Sequence, residues 1–302
     1  MYNFLLIMED SNKKQSSQMK YTFKKMEFSN NYYIIKNYKK VPLPPTDEII
    51  KDAVKYSKKN KLSYFIQFLY EREDNTIKKK IFDSLKKDIY DLSNDFYGNY
   101  VIQTIINDKD EEKINFIYNE IINKDVNELC MKKYSSRVVQ ALLEIIDIDK
   151  IIIILEKIKK NLSNLFLDIN GNYIIQKIIS RLNGNEINDI YEAVLKDINI
   201  LIKNEQGICV VQAVLKNLNN NKNLKKQTIN LEQAILKNDL VELCKSKGSN
   251  YIIKNILEKK EAHNIEYAYK KLKGKINELP KNVCTSYIIQ ILLEYENDVQ
   301  RK

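Results

Sequence analysis

Gly98-Asn99-Tyr100-Val101-Ile102-Gln103 is the stretch from which the rest of the chain can be read. It returns as Gly171-Asn172-Tyr173-Ile174-Ile175-Gln176. Weaker copies are Leu62-Ser63-Tyr64-Phe65-Ile66-Gln67, Ser135-Ser136-Arg137-Val138-Val139-Gln140, Gly207-Ile208-Cys209-Val210-Val211-Gln212, Ser249-Asn250-Tyr251-Ile252-Ile253-Lys254 and Thr285-Ser286-Tyr287-Ile288-Ile289-Gln290. The phrases end at residues 67, 103, 140, 176, 212, 254 and 290, at intervals of 36, 37, 36, 36, 42 and 36. A fixed period of this size is the signature of stacked structural repeats.

The register extends beyond the phrase. Seven residues before its second position stand Tyr56, Leu92, Leu129, Leu165, Leu201, Leu243 and Leu279. Positions four and five are always apolar, and further apolar pairs such as Ile105-Ile106, Leu142-Leu143 and Leu292-Leu293 follow. Residues at i, i+1, i+4 and i+5 lie on one side of an α-helix, and that side is the core. Positions two and six are four apart, so they share a face, and the pattern places it away from the core. Position three, such as Tyr100, lies one step round from it. Each repeat is therefore expected to expose two polar side chains and one flat one.

Composition agrees with an all-α chain of 302 residues, either one long solenoid or two compact domains. Only 6 Gly and 4 Pro interrupt it. The net charge of +10 suits a phosphate-bearing partner, and equally a solvated Lys-rich surface. Cys130, Cys209, Cys244 and Cys284 form no metal-binding pair; Cys130 and Cys244 share one repeat position and read as small core residues. The single histidine, His263, sits among charged residues and reads as a surface residue. No phosphate-binding loop or catalytic grouping occurs, so neither enzyme activity, metal nor cofactor is expected.

Residues 1–45 read as a basic, flexible N-terminal arm, and residues 46–302 as the repeat domain. The apolar run inside Met1 to Met8 is too short and wrongly flanked for a signal peptide, and no run approaches a membrane span, so an intracellular protein is expected. Ser29 to Lys36 looks like the phrase at 249–254, as a degenerate repeat or a coincidence of composition. Pro42, Pro44 and Pro45 then stop the chain, and a helix over 46–57, with Thr46 as N-cap, closes the end of the stack. Each period reads as two main helices and a short third, the first ending at the Leu position. Lys59, Asp95, Lys132, Asp168, Asn204, Ser246 and Asn282 mark the turns, and a small residue such as Gly98 or Gly171 lets the chain turn into the second helix. The longest interval places a protruding loop at Asn217 to Gln227.

Helical repeats of this period also build HEAT and armadillo scaffolds, which bind proteins. What separates the readings is the recurring outward triplet of Asn or Ser, then an aromatic or Arg, then Gln. Flat groups can stack on a base and the polar pair can read its edge, one base per repeat of single-stranded RNA. In these phrases and this period the sequence resembles the PUF (Pumilio-homology) family over roughly residues 46–302. The resemblance implies a curved right-handed superhelical solenoid of about seven repeats plus terminal caps. Its partner would be single-stranded RNA in mRNA 3′ untranslated regions, bound by a monomer without membrane association. It implies a cytoplasmic post-transcriptional regulator that represses translation or promotes decay, with deadenylase or repressor proteins as further partners. A divergent nucleolar factor for ribosome biogenesis is the alternative within RNA binding.

The family's code, carried over residue by residue, has positions two and six reading the base and position three stacking. Ser63 and Gln67 then imply A, Asn99 and Gln103 U, Ser136 and Gln140 A, and Asn172 and Gln176 U. With RNA running antiparallel, repeats four to one spell 5′-UAUA-3′. Tyr64, Tyr100, Arg137 and Tyr173 would stack. The C-terminal half departs from the pattern. Repeat five has Ile208 and Cys209 ahead of Gln212, and repeat six has Lys254 beside Asn250 and Tyr251. Ser286, Tyr287 and Gln290 of repeat seven match an adenine reader. The family's usual guanine reader is absent, which puts recognition of UGU in doubt.

Overall fold

The computed structural model of the protein describes residues 22–25, 32–36 and 39–300. The apolar run at Met1 to Met8 and the start of the phrase-like segment at 29–31 lie outside them. The chain divides into two compact units, Met1–Ile121 and Ile122–Lys302. Among the described residues no helix is long and apolar enough to cross a membrane.

In the first unit, β1 (Thr22–Lys25), β2 (Tyr32–Lys36) and β3 (Lys39–Pro42) form an antiparallel sheet in that order. These segments differ from the structureless arm read from the sequence, and β2 is a strand where the degenerate repeat would need a helix. The run Tyr32-Tyr33-Ile34-Ile35 is aromatic and β-branched, which suits a pleated surface. Tyr32 is buried against Phe65 and Phe68, with ring centroids 5.2 and 5.8 Å away, and its hydroxyl donates to Glu73.

The helices follow: α1 (Thr46–Lys51), α2 (Ala53–Ser57), α3 (Asn60–Arg72), α4 (Asn75–Leu85), α5 (Ile89–Ser93), α6 (Gly98–Asn107) and α7 (Glu111–Ile122). The expected helix over 46–57 is thus broken at Asp52, and Thr46 is its first helical residue after Pro45. α3 and α6 carry the first two phrases and pack on each other.

The second unit continues with α8 (Val126–Met131), α9 (Ser135–Ile145), α10 (Ile148–Ile158), α11 (Leu162–Leu167), α12 (Gly171–Arg181), α13 (Asn188–Leu201), α14 (Glu205–Asn220), α15 (Lys225–Leu236), α16 (Leu240–Lys245), α17 (Ser249–Glu258), α18 (Ala262–Leu272) and α19 (Val283–Gln300). The period is long helix, short helix, phrase helix. The Leu of repeats two, three, four and six lies in the short helix, as Leu92, Leu129, Leu165 and Leu243 do; in repeat five α13 runs unbroken to Leu201, and in repeat seven Leu279 follows a 3-10 turn at 276–278. Within this unit α12 packs on both α9 and α14, and α17 on α19.

The apolar stripe is the core. Val101, Ile102, Ile105 and Ile106 are fully buried, as are Val138, Val139, Leu142 and Leu143. Cys130 and Cys244 are buried in it, and burial pushes their thiols up, to about 12 and about 11. The residue nine after position two ties a repeat to the one before it. Asp108 accepts from Lys78 at 2.5 Å. Arg181 donates to the carbonyls of Leu143 and Ile146, and Asn217 to those of Ile179 and Leu182. Lys259 reaches Asn219 and the buried carboxylate of Glu232. The bonds of Arg181 and Asn217 satisfy carbonyls that a helix end leaves open.

The extra residues of the longest interval do not make the protruding loop expected at 217–227. They lengthen α14 to 16 residues, against 11 in α9 and α12, and a short 3-10 turn at 222–224 leads into α15. No Gly or Pro breaks this stretch, Leu218 is buried, and Asn217 is held by its two carbonyls.

Candidate nucleic-acid interface

The site begins in the turn before each phrase. Asp95 Oδ1 accepts the backbone N–H groups of Tyr97 at 2.9 Å and Gly98 at 2.8 Å. Asp168 holds Asn170 and Gly171 in the same way at 2.9 and 2.6 Å, and Asn204 holds Gln206 and Gly207, both at 2.9 Å. These side chains supply acceptors for N–H groups that the start of a helix leaves unpaired. The small first residue is required by proximity. A Cβ on Gly98 would lie 2.8 Å from the Leu92 carbonyl oxygen, and one on Gly207 2.6 Å from that of Leu201. Ser135 occupies this place by donating its hydroxyl to the equivalent Leu129 carbonyl at 2.9 Å.

The turn then positions the polar pair. Asn99 Nδ2 donates to the carbonyls of Asp95 at 2.8 Å and Phe96 at 3.0 Å, while its Oδ1 accepts from Gln103 Nε2 at 2.9 Å. Asn172 repeats this arrangement, donating to Asp168 at 2.8 Å and Ile169 at 3.1 Å and accepting from Gln176 at 2.8 Å. The asparagine is satisfied from below and turns the glutamine by its amide nitrogen. The Gln176 Oε1 and its second N–H remain for a ligand, an acceptor and a donor side by side.

This corrects the sequence reading of position two in repeats one to six, while Ser286 of repeat seven is exposed. Ser63, Asn99, Ser136, Asn172 and Asn250 are all buried, and so is Ile208. The periodicity places them on the face of position six, but they stand in the first turn of the helix and fold back under the preceding turn, whose carbonyls Asn99 and Asn172 occupy. Position six is more open: Gln67, Gln103, Gln140, Gln176, Gln212 and Lys254 are half-buried, and Gln290 is exposed. Position three is half-buried at Tyr64, Tyr100, Arg137, Cys209 and Tyr251 and open at Tyr173 and Tyr287, 41% and 42% exposed.

In the first unit Thr104, one residue past Gln103, lies 3.5 Å from Gln67 Oε1, so the Gln67 amide borders α6. In the second unit Lys177, also one past its glutamine, pairs with Glu144 of α9 at 2.7 Å. Sequence reading missed both. Their signal is their shared place in the repeat, though the residues differ.

Three segments, residues 88–122, 125–159 and 167–195, match the Pumilio-family RNA binding repeat. These three segments are PUF repeats. The matched segments contain the two phrase helices with full Asn-Tyr-Gln triplets, α6 and α12, and the Ser-Arg-Gln helix α9 between them. The solved structures with this fold include PUF-8 in complex with PBE-RNA, at 23% identity over 96% of this chain and 76% of that one, TM-score 0.70. The Puf3 RNA binding domain bound to a Cox17 RNA 3′ UTR site matches at 21% identity over 89% and 70%, TM-score 0.65. The RNA-binding domain of yeast Puf5p bound to SMX2 RNA matches at 22% over 83% and 70%, TM-score 0.65. A comparison with curated proteins returned no match.

The repeats that follow the matched segments differ among themselves. In repeat five Ile208 offers no polar group, and its side chain packs where a Cβ on Gly248 would be 3.0 Å away. Cys209 donates its thiol to the Glu205 carbonyl at 3.4 Å. In repeat six Lys254 pairs with Glu258 at 2.8 Å, and the hydrogen bond to that carboxylate raises its pKa. In repeat seven Gln290 donates to Glu294 at 3.1 Å, and Ser286, Tyr287 and Gln290 line an open depression of about 540 Å³.

Proposed function

We propose that this protein is a sequence-selective binder of single-stranded RNA. The observation that carries the proposal is the couple formed twice with one geometry, Asn99 with Gln103 and Asn172 with Gln176. Each presents an oriented amide beside a tyrosine, on the same helix of the repeat. A protein-binding scaffold has no need for that element to recur at the period of the stack. Unpaired bases are recognised by stacking on flat groups and by hydrogen bonds to their edges, and the amide supplies both hydrogen-bonding roles. The net charge of +10 favours a polyanion. Three similar structures are of Puf domains holding RNA, one of them a 3′ UTR site.

Repeats four to one then favour 5′-UAUA-3′, read at the open position by Gln67, Gln103, Gln140 and Gln176, with the buried Ser63, Asn99, Ser136 and Asn172 beneath them, and stacked by Tyr64, Tyr100, Arg137 and Tyr173. The regulatory part of the proposal, control of mRNA in the cytoplasm through 3′ untranslated regions, rests on the resemblance to PUF proteins. The test is selection of bound sequences from a random RNA pool. Enrichment of A/U-rich single strands ending in UAUA supports the proposal. A pool that stays random, or enriches structured RNA without a common single-stranded motif, overturns it.

A further inference from the structure

Position seven, the residue after the glutamine, turns to the phrase helix of the preceding repeat. Thr104 of repeat two lies 3.5 Å from Gln67 Oε1 of repeat one, and Lys177 of repeat four pairs with Glu144 of repeat three at 2.7 Å. In repeat one this position is Phe68, and the ring beside it is that of Tyr32 on β2, 5.8 Å away between centroids. Tyr32 also packs on Phe65 at 5.2 Å and donates its hydroxyl to Glu73, at the end of α3. The sheet therefore stands on repeat one where a preceding repeat would stand, one station further along the row of readers.

The charge of that sheet is one-sided. Its strands bring Lys24, Lys25, Lys36, Lys39 and Lys40 to it and no Asp or Glu. Lys25 and Lys24 are paired in register with Tyr32 and Tyr33, where the sheet meets repeat one, and Lys36 is paired with Lys39. Lysines on the edge strands β1 and β3 discourage pairing with another sheet. That use does not account for Lys36, which is on the central strand opposite a like charge, a pairing that weakens a sheet. A polyanion laid on the sheet would relieve that repulsion. The strands carry no Asn or Gln, so they offer charge without the amide couple of a reader.

We infer that the sheet extends the RNA track past repeat one and holds the phosphates 3′ of UAUA, without regard to base. The inference deepens the RNA-binding proposal and rests on it. With RNA running antiparallel, the 3′ end of UAUA lies at repeat one, and the nucleotides beyond it meet the sheet. A phosphate needs only a cation, which lysine supplies as a point charge. An acidic protein segment would suit the same charge, but the place of the sheet at the end of the readers favours RNA.

The experiment is a titration of the full chain against 5′-AAAUAUA-3′, against the same RNA with four cytidines or four adenosines added at its 3′ end, and with four cytidines added at its 5′ end. Both 3′ extensions should tighten wild-type binding about ten-fold at low salt and steepen the log–log salt slope by about 2, three phosphate contacts at roughly 0.7 each. A variant carrying Lys24→Gln, Lys25→Gln, Lys36→Gln, Lys39→Gln and Lys40→Gln should lose that gain and the added slope, and keep whatever change the 5′ extension brings. Lys39→Gln with Lys40→Gln, confined to the edge strand β3, should reduce the gain by about two-fold or more, and decides the matter if the fivefold variant does not fold. No tightening of wild type by either 3′ extension overturns the inference while leaving UAUA recognition intact, and leaves the charge to an acidic partner. A gain that survives in the variants, or that one added base gives and the other does not, also overturns it. If wild type binds none of these RNAs, the RNA-binding proposal itself falls and takes the inference with it.

Discussion

Replacing Asn99 by alanine separates holding the site together from reading with it. The Asn99 side chain is fully buried and makes three hydrogen bonds, two donated to the turn at Asp95 and Phe96 and one accepted from Gln103. A hydrogen bond of this kind contributes about 1 kcal/mol net. Three give about 3 kcal/mol, and the better helix propensity of alanine returns roughly 0.5 kcal/mol. Asn99→Ala should therefore destabilise the fold by about 2.5 kcal/mol, a fall in Tm of about 5 °C at the roughly 2 °C per kcal/mol of a large domain. Gln103→Ala removes a half-exposed side chain and leaves one buried acceptor, so about 1 kcal/mol of stability is lost. Yet Gln103→Ala should cost binding of UAUA-ended RNA about 1 to 3 kcal/mol, the value of a base-edge contact. The assay is urea unfolding followed by circular dichroism, beside an RNA titration, for both variants. If Asn99→Ala unfolds at the wild-type midpoint, the asparagine does not hold the turn, and the explanation of its burial fails.

Further outcomes are expected. Asn217→Ala strips two carbonyls, those of Ile179 and Leu182, of their donors and should destabilise the protein by about 1 to 3 kcal/mol, measured by urea unfolding. Gly207→Ala sets a methyl 2.6 Å from the Leu201 carbonyl oxygen, and the same measurement should show a loss of about 1 to 3 kcal/mol. Tyr173→Ala, at an open position, should weaken RNA binding by about 1 to 3 kcal/mol with little regard to which base is offered. Affinity should fall with salt by about 0.7 in the log–log slope for each phosphate contact, and a slope near zero between low and physiological salt would remove the electrostatic part of the proposal.

The sequence alone determined the repeat, the core stripe and the turns. A helix brings residues three and four apart together, so apolar pairs at Val101-Ile102 and Ile105-Ile106 declare a buried side without reference to anything distant. Asp95, Asp168 and Asn204 form their turns with backbone groups two and three residues away, which is why they could be named from position alone. The tertiary structure decided what depends on partners far along the chain or on competition between near ones. Asn217 bonds carbonyls 38 and 35 residues back, and that anchorage accompanies a lengthened helix in place of a loop. Tyr32 finds its place against Phe65, so strands stand where a structureless arm was expected. Position two shares a helical face with position six, yet the turn before it encloses the asparagine and leaves the glutamine to solvent. Lys254 has Asn250 four residues before it and Glu258 four residues after it. Spacing treats the two alike; the carboxylate holds the ammonium because opposite charge outweighs a neutral acceptor, and the Asn250 oxygen is left without a donor.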